Sequence, residues 1–283
     1  MRFLTLAIAV ALLGLAFPAA SQQPGPANPA APARPWPPVH LPDGQPDVQG
    51  LWRPPLNGTQ SLTTPMTGEA EFTARINGRP APRNPSRIID PPDGKIPYQP
   101  WAAARQAQQA ADWDHPTRIE HVDTQNRCLL GGVPRPFYNT RLRILQPEGF
   151  VVFVWDDYHS YRVVPLDGRP HVGPNLKLWM GDSRGHWEGN TLVTDVTNLN
   201  AKFRLSVVGD FFSDQAHLGE RLTFVDATTM NYEVTINDPT VFTRPWTMRV
   251  AERRVPDDEM EEFACHEGDR TSDLLLLTDS SKK

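Results

Sequence analysis

Arg141-Leu142-Arg143-Ile144-Leu145, Pro147-Glu148-Gly149 and Phe150-Val151-Val152-Phe153-Val154-Trp155 form the stretch whose reading decides the fold. The first run alternates arginine with aliphatic residues, and the last is built from β-branched and aromatic ones. A strand, a turn and a second, buried strand are the simplest reading. Period two continues outward from there. His159 to Val164 follows a tight turn at Asp156-Asp157, and Trp187 and Leu192-Val193-Thr194 flank Gly189-Asn190, a two-residue hairpin signal. Leu222 and Phe224 alternate with Arg221 and Thr223, and Asp226 to Thr229 turns the chain into Tyr232-Val234-Ile236. Trp246, Met248 and Val250 face one side, Thr247 and Arg249 the other, and Met260 to Cys265 reads as a closing strand. About eight antiparallel strands without alternating helices predict an all-β meander, closed as a barrel or strongly curled sheet of calycin-like type. Leu274 to Leu277 reads either as a last strand or as an apolar end.

Upstream the composition changes. Of 30 prolines among 283 residues, 20 fall in the first 100, which excludes continuous helix or central strand over most of that third. Met1-Arg2-Phe3, the apolar run Leu4 to Phe17 and Ala19-Ala20-Ser21 make residues 1–21 a signal peptide, too short for a comfortable span. Residues 22–46 read as a disordered Pro-rich linker, and 47–127 as an extended wrapping segment with one helix at about 100–112. Val48 to Trp52 inside it looks like a short strand, and 128–283 is the barrel-like domain. No later apolar run is long enough to cross a membrane, so a periplasmic or secreted protein is expected. Cys128 and Cys265, the only cysteines, are expected to pair in that oxidising setting. Thirty-three acids against 28 bases give a net charge of −5, which argues against a sequence-blind grip on nucleic acid.

A set of motifs occurs in order along the chain: Pro46-Asp47-Val48-Gln49-Gly50-Leu51-Trp52, Tyr161 to His171 (YRVVPLDGRPH), Gly181 to Val193 (GDSRGHWEGNTLV), Thr235 to Pro239 and Pro245-Trp246-Thr247. This set resembles a large group of exported bacterial proteins of unassigned function. The resemblance implies a shared fold from residue 46 onward and names no reaction. Where that group often carries Gly-x-Pro-His-Ser, this chain reads Gly209-Asp210-Phe211-Phe212-Ser213, without the histidine.

Four groups of residues have the types that chemistry needs. Gly181-Asp182-Ser183-Arg184-Gly185 contains Gly-x-Ser-x-Gly but runs into a hairpin, whereas a nucleophile elbow needs a strand-to-helix turn. There Asp182 and Arg184 are expected to pair at a loop mouth, with His186 and Glu188 alternating beyond; a solvated charged edge explains the same residues. In His217-Leu218-Gly219-Glu220-Arg221 a carboxylate three positions on can hold the tautomer of a histidine base, or Glu220-Arg221 can form cross-strand ion pairs. Tyr158 to Arg162, with Trp155 and Trp179, has the composition of an aromatic pocket mouth or of ordinary core. His171 follows a turn at Asp167-Gly168. No His-x-His, His-Glu-x-x-His, Gly-x-Gly-x-x-Gly or P-loop occurs, so neither a metal nor a cofactor is expected. Asn57-Gly58-Thr59 fits a glycosylation triplet.

Three functions follow from this reading. The first is an exported barrel that binds a small organic ligand in an aromatic-lined pocket through Trp155, Arg162, Trp179, Asp182 and Arg184. The second is a cofactor-free acid–base enzyme (lyase, isomerase or hydrolase) with His217 or His186 as base, Glu220 as its holder, Tyr161 as acid and Arg162 or Arg184 as anion stabiliser. It requires His217, Tyr161 and Arg184 to converge on one cavity. The third is an envelope protein-interaction module that uses the Pro-rich arm.

Overall fold

The alternating pattern becomes ten strands of one antiparallel sheet in a computed structural model, which describes residues 36–55, 61–64, 84–256, 258–263 and 265. The leader, most of the linker, the Asn57 triplet and Leu274–Leu277 lie outside the described residues. In chain order the strands are β1 (Gly50–Arg53), β2 (Ile88–Asp90), β3 (Leu142–Leu145), β4 (Phe150–Trp155), β5 (Tyr161–Pro165), β6 (Asp182–Glu188), β7 (Thr191–Thr197), β8 (His217–Phe224), β9 (Thr229–Asn237) and β10 (Trp246–Arg254). One α-helix, α1, spans Pro100–Asp114, with proline in its first turn where a missing N–H costs nothing.

Two meanders make the barrel, β3-β4-β5 and β6 to β10, and β1 joins them. The strand order is β5-β4-β3-β1-β10-β9-β8-β7-β6, with β2 also pairing β10. Trp52 stands opposite Leu142 on one side and Arg254 on the other. The barrel thus draws its joining strand from the segment expected to wrap around it. β5 and β6 close the circle by packing side by side across a seam without a hydrogen-bonded ladder. Gly185 makes that approach possible: a Cβ there would fall 2.6 Å from Val164 Cγ1 on β5.

One expected strand is corrected. Residues 260–263 and Cys265 join no ladder. Both edges of β10 are taken, by β9 on one side and by β1 and β2 on the other. The segment is held instead by Arg141, 3.0 Å from Glu261, and by the disulfide from Cys128 to Cys265, whose Cα atoms are 5.5 Å apart.

Alternate residues of every long strand fill the barrel, among them Trp155, Phe153, Tyr232 and Trp246, all less than 2% exposed. Phe137, from the segment before β3, enters too and stacks on Tyr232 with ring centroids 3.8 Å apart. The interior also holds charge. Arg162 Nη1 lies 2.9 Å from Glu220, both fully buried, and Tyr232 Oη donates to Glu220 at 2.7 Å. Arg162 sits 5.0 Å from the Phe153 ring centroid. Glu252 faces inward as well, and burial pushes its carboxyl well above the usual range, with Arg87 opposing.

Candidate functional site

Three segments that are not strands meet beside the barrel: α1, the irregular stretch 115–141, and the crossover 198–216 between β7 and β8. Each is pinned by buried or part-buried polar groups. In the crossover, Asp210 accepts from Ser206 Oγ at 2.6 Å and from Tyr98 Oη at 3.0 Å, and burial pushes its carboxyl up. Arg135 and Asp123 form a fully buried bidentate pair at 2.9 Å, and Arg135 also donates to the Arg204 carbonyl. Gln106 and Gln109 of α1 donate to the carbonyls of Val208 and Gly209. Gly209 has φ +90°, and a Cβ there would lie 2.4 Å from Gln109 Cβ, so the helix docks only on glycine.

Between these segments lies a cavity of about 430 Å³. Trp101, Phe203, Phe211 and Phe212 form its apolar wall. Arg105, Arg127, Lys202 and Arg204 bring four cations to it, against the single acid Glu120. The Arg105 guanidinium lies 4.6 Å from the centroid of Phe211, and Trp101 is anchored by its indole N–H to the Thr240 carbonyl. Arg204 is held by the carbonyls of Glu120 and His121, at 2.9 and 3.3 Å. Burial holds its guanidinium below the ordinary value; Asp123 opposes this, and neighbouring Arg127 and Arg135 add to it. Thr124 Oγ1 and Arg127 Nε are buried in this lining with no hydrogen-bond partner.

A second, smaller cavity of about 250 Å³ is polar, lined by Arg53, Asn139, Thr140, Arg141, Asp156, Asp157 and Glu261. Arg141 matches Asp156 and Glu261 at 3.2 and 3.0 Å, so its charges are largely neutralised from within. Burial, reinforced by Asp156, pushes Asp157 up to about 6.

The residues expected to form the site separate by strand face. Side chains at odd spacing in a strand point to opposite sides. Glu220 is therefore inside, bound to Arg162, while His217 is outside and bonds Asp195. Glu220 does not hold the tautomer of His217. Tyr161 is outside and 64% exposed, with Arg162 next to it buried. Trp155 belongs to the packed core, and Ser183 is buried within β6, not raised on an elbow. Asp182 and Arg184 do pair, at 2.7 Å, on the outer face. There His171 Nδ1 lies 2.8 Å from Asp182 and its Nε2 2.8 Å from Asp195, giving a chain Arg184–Asp182–His171–Asp195–His217 across the sheet. His186 and Glu188 are adjacent at 3.2 Å, and Glu188 pairs with Arg221. Trp179 stands behind the wall of the larger cavity, its ring 6.4 Å from that of Phe203. None of these residues lines either cavity, so His217, Tyr161 and Arg184 do not converge on one of them.

The cavity residues fell outside the strand pattern on which the sequence reading concentrated. Two signals point to them: a β7–β8 connection much longer than a hairpin loop, and cations interleaved with aromatics in Lys202-Phe203-Arg204. The phenylalanines of Gly209-Asp210-Phe211-Phe212-Ser213 form part of the wall. Compared with known protein families and with curated proteins, the chain finds no match in either.

Proposed function

We propose that this is an exported protein that binds a small organic ligand in the cavity between α1, 115–141 and 198–216. The observation that carries this reading is the aromatic wall of Trp101, Phe203, Phe211 and Phe212 around about 430 Å³. A small-molecule site of that order of volume uses apolar faces to hold a ligand and polar groups to orient it; here the polar groups make up the larger part of the lining. The barrel interior is filled by its own aromatic side chains, which favours this site over the barrel mouth. Export is supported by the leader-like residues 1–21 and by the disulfide, which persists in oxidising compartments. Among the described residues no helix is long and apolar enough to cross a membrane.

The test is native mass spectrometry of the protein exported from a bacterial host, with calorimetry against a panel of small aromatic compounds. A bound small molecule, or calorimetric binding, is expected in the natural chain and strongly reduced in Trp101→Ala. Trp101 is 48% exposed, so its truncation spares the core. A chain that carries no small molecule and binds none of the panel overturns the proposal, as does unchanged binding by the variant.

A further inference from the structure

We infer that the ligand is an organic anion, a planar ring bearing a carboxylate; this rests on the reading of the cavity as a ligand site. The charge distribution is the first argument. The chain carries a net charge of −5, yet four cations and one acid line this cavity. Elsewhere on the surface many cations are matched, as Arg221 is by Glu188, Arg249 by Glu233 and Lys177 by Asp214, and those of the described residues that are not, such as Lys95 and Arg253, stand apart from one another in the sequence. By contrast, no carboxylate of the described residues lies within ion-pair distance of Arg105, Arg127, Lys202 or Arg204. Four like charges gathered around one acid, Glu120, with no carboxylate of the described residues in direct contact, repel one another, and an anion arriving from solvent relieves that repulsion.

The second argument is hydrogen bonding. Thr124 is only 2% exposed, and its hydroxyl has no partner; neither has Arg127 Nε, three residues on in the same turn. A buried polar group without a partner costs free energy that a bound group can recover. A guanidinium N–H only donates and a hydroxyl is able to, so together they suit an acceptor with two oxygens, which a carboxylate supplies. The third argument is the wall. Trp101 and Phe211 lie with ring centroids 6.0 Å apart, and Arg105 lies over Phe211. Aromatic faces beside a guanidinium favour a flat ring over a bare inorganic ion. Lys202 and Arg105, exposed at the rim, are placed to steer the anion inward.

Calorimetry with 2-naphthoate and 2-naphthamide, close in shape and different in charge, tests the inference on the full exported chain. Naphthoate is expected to bind about tenfold or more tightly than the amide, with that preference shrinking in high salt. Arg127→Gln should cut naphthoate binding and leave the amide unchanged, and Lys202→Gln, at an exposed position, should slow association. Trp101→Ala should weaken both probes. Equal affinity for the two probes overturns the anion assignment and leaves the ligand site standing. Inorganic phosphate binding as tightly as naphthoate overturns the ring assignment. Binding of neither probe counts against both readings at once.

Discussion

Glu220 takes two identities in the sequence, partner of His217 or surface ion pair, and has neither in the structure. It accepts from Arg162, Tyr232 and the Thr194 hydroxyl, all within the barrel. Such a pair contributes little against a well-packed apolar replacement, whereas loss of one partner strands the other charge. Glu220→Gln is therefore expected to cost about 3–5 kcal/mol in urea unfolding, while Arg162→Met with Glu220→Leu together costs much less. A single variant as stable as the natural chain would show that Arg162 does not depend on this carboxylate. The residue types were legible in the sequence, since Arg162 and Glu220 stood out among the strand residues. Their partnership was not, because it joins β5 to β8 across 58 positions.

At the scale of elements, the hairpin at Gly189-Asn190, β4 and α1 lie where the local patterns place them, since turn chemistry and alternation act within a few residues. The loop between β5 and β6 obeys other forces. His171 fastens it to Asp182 and Asp195 on the outer face of β6 and β7. Burial raises the Asp182 carboxyl, but hydrogen bonds from Val172 N–H, Arg184 and His171 outweigh it and hold it below the usual value of 3.8. Asp195 is likewise lowered, with burial overcome by bonds from His171 and His217. A carboxyl whose folded pKa is depressed contributes stability above its unfolded pKa, and that contribution disappears as pH falls through the folded one. Hydrogen exchange of residues 167–181 is thus expected to stay slow at pH 5 and to accelerate below about pH 4. Asp182→Asn should make the loop open at both values. A loop whose protection, after correction for intrinsic exchange, is unaffected by acid would remove this staple from the account.

For the whole molecule, the covalent tie from Cys128 to Cys265 closes a loop over 137 positions. Loop-closure entropy assigns such a bridge about 5 kcal/mol, so Cys128→Ser is expected to lower Tm by on the order of 10 °C under oxidising conditions. An unchanged midpoint would show that the bridge adds nothing to stability. The sequence by itself determined the class of fold, the positions of most strands and the cysteine pair available to bridge, because alternation, turn residues and cysteine number are local or countable. Its proline content predicted little continuous helix or central strand in the first 100 residues; among the described residues there, β1 lies between β3 and β10 and β2 pairs β10. Only the tertiary structure brought together the cavity proposed as a ligand site. Trp101, Thr124, Arg127 and Phe211 come from three separate segments without a common period. They form one cavity because Gly209, Asp210 and the Arg135–Asp123 pair hold those segments and the chain just before the helix against one another, and no spacing along the chain records that approach.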